Sequence, residues 1–272
     1  MNILAKIAAS KMKEVPERKR LYPIKLLEKS LWFSSPCVSL RDYLLRDDLF
    51  GLISEFKRKS PSAGNINMYA DVEKTTLGYM QSGSSGLSIL TDREFFGGCN
   101  EDLTQARRFN FCPILRKDFI VDEYQIIEAR SIGADAVLLI AALLSADQLK
   151  KFTVLATTLG METVVEIHEK AEISSIPSEN VIVGVNNRNL KTFEVEIENS
   201  ISLFPALPKD CVKISESGIK HPADALKLKD CGFNGFLMGS EFMRHGRPDL
   251  ACRAFINDAR RDIKIRTNEV KD

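Results

Sequence analysis

The chain has 272 residues, 44% of them hydrophobic and 28% charged, with 38 Lys and Arg against 37 Asp and Glu. That is enough for one large or two small globular domains with a full core, and the near-neutral balance excludes a general polyanion binder drawn to nucleic acid or a membrane by a global field. Six cysteines (Cys37, Cys99, Cys112, Cys211, Cys231, Cys252) stand without any C-x-x-C pair, so neither a zinc site nor a redox motif is spelled out, and reduced thiols in a cytoplasm are the expectation.

At the amino terminus Lys6 interrupts the apolar run and no small-residue cleavage site follows. The longest apolar run, Ala136 to Leu144, falls far short of the roughly 20 residues that span a bilayer. Ile3, Leu4, Ile7, Ala8 and Met12 recur at helical spacing, and Ile24, Leu27 and Leu31 repeat the pattern beyond Pro16 and Pro23, which predicts two short amphipathic helices. The basic run Arg18-Lys19-Arg20 reads as a solvated helix face rather than a nucleic-acid patch, and Trp32, the only tryptophan, is expected to pack this extension (residues 1–50) onto the main body. A further segment, Leu40 to Leu49, leads into it.

From residue 51 the chain alternates two patterns. Short aliphatic runs lie at Leu52–Phe56, Gly86–Leu90, Pro113–Leu115, Ala136–Ile140, Thr163–Ile167, Val181–Val185, Val212–Ser215 and Gly235–Met238. Helical patterns separate them at 70–81, 100–107, 122–132, 146–159, 169–173, 196–203 and 222–229, and one at 249–263 closes the series. Alternation of this kind implies a parallel sheet, because parallel neighbours need a long crossover. Eight units in roughly 210 residues match a closed (β/α)8 TIM barrel spanning 51–264. An open doubly wound sheet is the runner-up, but no G-x-G-x-x-G follows any strand. Residues 265–272 form a charged tail.

Active sites of such barrels form at the carboxyl ends of the strands, so charged residues ending apolar strands carry information. Strand alternation puts Ile53, Glu55 and Lys57 on one face, Leu115 with Lys117, Gly184 with Asn186 and Arg188, and Ile214 with Glu216, while Glu166 ends the fifth strand. Taken singly, each could be an ion pair sealing the rim. Their convergence favours a site, since desolvating so many charges without a use costs stability. Ser217-Gly218 and Gly239-Ser240 follow strands seven and eight, where barrels commonly hold phosphate, and Ser60 lies across the mouth. Together they predict a cradle for a phosphate monoester. By the same parity Arg58 points away from the mouth. None of the three histidines (His168, His221, His245) has a visible partner at catalytic spacing, and His168 reads as structural.

Several motifs, in order through nearly the whole chain, carry a resemblance. Glu-x-Lys-Arg-x-Ser-Pro-Ser from Glu55, Leu-Ser-Ile-Leu-Thr-Asp from Leu87, Pro-Ile-Leu-Arg-Lys-Asp-Phe from Pro113, Val-Val-Glu-Ile-His from Val164, Val-Asn-Asn-Arg-Asn-Leu from Val185 and Ser-Glu-Ser-Gly-Ile from Ser215 resemble indole-3-glycerol phosphate synthase. Departures are small: Ala63 stands where lysine is frequent, and Ser84-Ser85 where alanine is.

The resemblance implies ring closure, decarboxylation and dehydration of 1-(2-carboxyphenylamino)-1-deoxyribulose 5-phosphate, a step of tryptophan biosynthesis, with no metal or organic cofactor. It implies Lys117 as general acid, Lys57 holding the departing carboxylate, and Glu166 with a lysine as base and acid of the dehydration, Glu55 shaping the charge around them. Asn186, Arg188, Glu216 and Ser217 would orient substrate, and Ser60, Gly218, Gly239 and Ser240 would hold phosphate. The expected partner is a small phosphorylated molecule, not nucleic acid or membrane. Oligomeric state is left open, with a monomer as the working expectation. The alternatives are another phosphosugar enzyme on the same barrel and a non-catalytic barrel that binds an anionic metabolite.

Overall fold

Aliphatic runs of three to five residues are too short for stable helices, and runs apolar at every position bury both faces, as parallel strands between helices do. In the computed structural model, which describes residues 3–178, 181–190 and 192–269, these runs form eight strands. They are β1 (Leu52–Phe56), β2 (Gly86–Leu90), β3 (Ile114–Lys117), β4 (Ala136–Ile140), β5 (Glu162–Ile167), β6 (Val181–Asn186), β7 (Val212–Glu216) and β8 (Gly235–Met238). All pair in parallel with their sequence neighbours, and β1 pairs with both β2 and β8, so the barrel closes. The third, sixth and seventh strands run one or two residues further than the aliphatic pattern, which brings Lys117, Asn186 and Glu216 into the sheet itself.

Side chains alternate as the pattern requires. Ile53, Leu115, Leu138, Val164, Ile182, Ile214 and Leu237 fill the barrel interior, while Leu52, Phe56, Ile89, Val137, Val165, Val183 and Phe236 pack outward under the helices. The crossover helices are α4 (Val72–Gln81), α5 (Asn100–Phe109), α6 (Glu123–Ile132), α7 (Ala146–Thr158), α8 (Glu198–Leu203) and α9 (Pro222–Cys231). The helix expected at 169–173 is a 3-10 turn, Lys170–Ser175. A short α10 (Ser240–Met243) precedes α11 (Pro248–Glu269), which takes in residues 265–269 of the expected tail; residues 270–272 lie outside the described residues.

The extension departs from expectation in one respect. Instead of ending near Pro16, α1 is a single helix, Ile3–Leu21, followed by a one-turn α2 (Ile24–Leu27) capped at Pro23. A proline inside a helix removes a hydrogen bond at a cost of about 3 kcal/mol, and tertiary anchoring offsets it here. Leu4, Ile7 and Val15 are buried, and Lys11 is entirely so. Arg18 and Lys19 are not merely solvated: Arg18 Nε lies 2.6 Å from Glu128 Oε1 and Lys19 Nζ 2.7 Å from Asp122 Oδ2, both on or beside α6. Trp32 does pack the extension onto the barrel, its ring 3.3 Å from where a Cβ on Gly133 would stand, beside the nearer Arg107 side chain. Helix α3 (Leu40–Leu44) plugs the amino end: Leu40 and Leu44 join the interior cluster, against Gly86 and Gly235 at the starts of β2 and β8. The carboxyl end is left for chemistry.

Candidate active site

The inward positions at the carboxyl end converge as strand parity predicts. Lys117, last residue of β3, extends its ammonium across the mouth to Glu166 Oε2 on β5 (2.8 Å) and Glu216 Oε2 on β7 (2.5 Å). Lys57 Nζ sits 2.7 Å from Glu55 Oε1, and Ser88 Oγ donates to the other oxygen of Glu55 at 3.4 Å. Two glycines make room for these carboxylates. A Cβ on Gly184 would stand 2.3 Å from Glu216 Oε1, and one on Gly239 would stand 2.6 Å from Glu55 Oε1. A glycine inside a strand marks close approach of another group, the one signal by which Gly184 could have been singled out from sequence.

Burial decides the protonation of this cluster. Desolvation alone would favour neutral Lys117, but the opposing charges of Glu166, Glu216 and Glu55 outweigh it and hold the ammonium above its ordinary range. Burial likewise pushes both glutamates up, yet they diverge. Glu166 faces Lys117 on one oxygen and His168 on the other, and stays well below the usual carboxylate range. Glu216 has Lys117 alone and is repelled by Glu166, so it is pushed up to about 7. Its Oε1 is buried and meets no hydrogen-bond partner among the described residues. One lysine between two inequivalent carboxylates is an arrangement able to give and take protons near neutral pH.

These groups line one cavity of about 330 Å³, and every sequence-predicted site residue lies on its wall: Glu55, Lys57, Ser60, Lys117, Glu166, Asn186, Arg188, Glu216, Ser217, Gly218, Gly239 and Ser240. Ser60 belongs to a two-stranded ribbon (Lys59–Ser60 with Gly64–Asn65) that folds over the rim. Ser217 and Gly218 both have positive φ, 67° and 82°, and turn the chain after β7. Arg188 donates to the Phe193 carbonyl at 3.3 Å, and among the described residues no carboxylate lies at ion-pair distance from it. Arg58 points outward, as parity predicts, stacking 4.9 Å over Phe56 and pairing with Asp102 on α5. Among the described residues no three His, Cys, Asp or Glu side chains converge as a metal-ligand group.

Sequence reasoning missed three parts of the site. An apolar wall includes Phe96 and Phe119, tilted rings with centroids 5.7 Å apart. Ile3, Leu4 and Ile7 of α1 also reach the cavity, so the extension is part of its wall. That helix is held by Lys11, whose ammonium lies 3.0 Å from Asp92 after β2 and 3.0 Å from Asp118 after β3. The third is His168, expected to be only structural: its Nε2 lies 3.3 Å from Glu166 Oε1.

A protein-family model described as indole-3-glycerol phosphate synthase matches residues 4–255. The chain belongs to the indole-3-glycerol phosphate synthase family. An indole-3-glycerol phosphate synthase of Bacteroides thetaiotaomicron is 42% identical over 255 residues, covering 94% of this chain and 98% of its own. One from a Polaromonas species is 40% identical over 260 residues, covering 92% and 96%. Among solved structures, a tryptophan synthase α subunit of Legionella pneumophila superposes with a TM-score of 0.58 at 13% identity, over 84% of this chain and 99% of that one. The tryptophan synthase complex of Pyrococcus furiosus gives 0.55 at 15% identity, over 78% and 98%. These two likenesses speak for the TIM-barrel fold alone.

Proposed function

We propose that this chain is a carbon–carbon lyase that converts 1-(2-carboxyphenylamino)-1-deoxy-D-ribulose 5-phosphate into indole-3-glycerol phosphate, carbon dioxide and water. The observation that carries the reading, beside family membership, is the Lys117 ammonium held between Glu166 and Glu216 in a cavity with one aromatic wall. Ring closure joins an aromatic carbon to the substrate ketone, whose oxygen must gain a proton as negative charge builds on it. Lys117, charged and directed into the cavity, supplies that proton as general acid. Lys57 holds the substrate carboxylate, with Glu55 fixing the ammonium, and the wall at Phe96 and Phe119 restrains the ring over the ketone. Loss of carbon dioxide returns the bonding electrons to the ring system.

Dehydration then removes a proton from the ring methylene carbon beside the nitrogen and expels the hydroxyl as water, which forms the second carbon–carbon double bond of the indole. Glu166 and Glu216 act as one proton-accepting pair around Lys117. The lysine supplies the acid. Asn186, Arg188 and Ser217 orient the sugar chain, and Ser60, Gly218, Gly239 and Ser240 hold the phosphate at the β7 and β8 side of the mouth. Gly239 has the second task of admitting Glu55. The test is direct: purified protein mixed with the carboxyphenylamino substrate, without added metal, is expected to develop indole fluorescence in step with carbon dioxide release. A folded sample whose spectrum stays unchanged overturns the reading.

A further inference from the structure

His168 follows β5 with its ring 10% exposed, and each ring nitrogen faces a carboxylate: Nε2 lies 3.3 Å from Glu166 Oε1, and Nδ1 3.8 Å from Glu172 Oε2. The His168 backbone is held from two sides. Glu172 Oε2 accepts the His168 backbone N–H at 2.6 Å, and Asn199 Nδ2 on α8 donates to the His168 carbonyl at 3.1 Å and to the Asn186 carbonyl at 3.3 Å. A neutral imidazole donates from one nitrogen only, so either tautomer would aim a lone pair at a carboxylate; the imidazolium alone suits both. Neither nitrogen completes a hydrogen bond within the described protein, so the contact with Glu166 is one of charge.

We propose that His168 is a positioning residue whose positive charge keeps the Glu166 carboxylate an anion behind Lys117, leaving Glu216 as the carboxyl of the pair that exchanges protons with substrate. It acts through Glu166 and touches no reacting atom. Burial opposes its charge, but Glu166 and Glu172 outweigh that and raise its pKa to about 9. Among the described residues the charged groups that face the ring are Glu166 from β5 and Glu172 from the 3-10 turn, with Lys117 beyond Glu166, and the neutral Asn199 of α8 meets the His168 carbonyl. Removing a cation beside two carboxylates that share a lysine raises the proton affinity of the pair as a unit.

The inference rests on the lyase reading above, and its test separates the two. In H168Q the acidic limb of kcat/KM is expected to move up by about one pH unit, a loss of about tenfold on that limb with a smaller loss on the plateau. A limb that stays in place, with rates either unchanged or lowered evenly at every pH, overturns the inference and leaves the lyase reading intact. A second measurement needs no variant to fold: the wild-type imidazole, followed by NMR, is expected to titrate near 9, and lower once E166Q removes its partner. An ordinary value near 6.5 overturns the inference even if the wild type proves inactive, whereas a raised value in an inactive protein would sink the lyase reading alone.

Discussion

At the scale of single residues, Lys117 and Gly184 give opposite kinds of test. Lys117→Ala removes a group whose proton transfer belongs to the transition state, so turnover is expected to fall by about 10² to 10⁴ while affinity for substrate changes little. Equal loss of binding and turnover would make Lys117 an anchor instead. Gly184→Ala adds one methyl group, but at 2.3 Å from Glu216 Oε1 that carbon can be accommodated only if the carboxylate moves. Activity is expected to drop by at least about tenfold with the far-ultraviolet circular dichroism unchanged, since misplacing a reacting group by an ångström can cost about 10² in rate. Full activity would show that Glu216 has room to spare. Lys117 was legible because a cation ending an aliphatic strand is conspicuous. Gly184 was not, because its importance lies in the long side chain that reaches it from the neighbouring strand β7.

At the scale of elements, the strands were legible and the extension only partly so. A strand between helices shows its full length as a run of Val, Ile and Leu, and β1, β2, β4 and β8 begin and end where those runs do. Helix α1 obeys a contact far away in sequence: Lys11 meets Asp92 and Asp118, residues more than eighty positions along the chain, and local periodicity carries no trace of that. The wall formed by Ile3, Leu4 and Ile7 was hidden for the same reason. Lys11→Met tests the element as a whole. It leaves Asp92 without its cation and strips Asp118 to its pairing with Arg116, and breaking a buried pair from one side costs about 3–5 kcal/mol. The variant is expected to unfold at a clearly lower urea concentration and to bind substrate more weakly, with KM rising more than kcat falls, because what loosens is a wall of the cavity and not a proton donor. A wild-type KM in a destabilised variant would confine α1 to a structural part.

At the scale of the molecule, the buried carboxylates divide into two groups with opposite dependence on pH. Asp118, Glu128, Glu166 and Glu172 are each pushed up by burial, but the cations beside them more than reverse this and hold them below their ordinary range. Their contribution to stability is present above the pKa of an unfolded carboxyl and is lost as pH falls below it. Glu216 runs the other way. Between the ordinary value of 4.5 and about 7 the folded chain keeps a proton on Glu216 that the unfolded chain has released, so this residue's contribution declines as pH rises through that window. Glu216→Gln removes the titration and keeps the side chain's size. The stability of the variant relative to wild type, from urea unfolding at a series of pH values, is therefore expected to climb between pH 4.5 and 7 by at most about 1 kcal/mol per unit, and to level off on either side. Parallel stability curves for the two proteins would mean that Glu216 ionises as an ordinary carboxyl does, and the proton-accepting part given to it would fall with it.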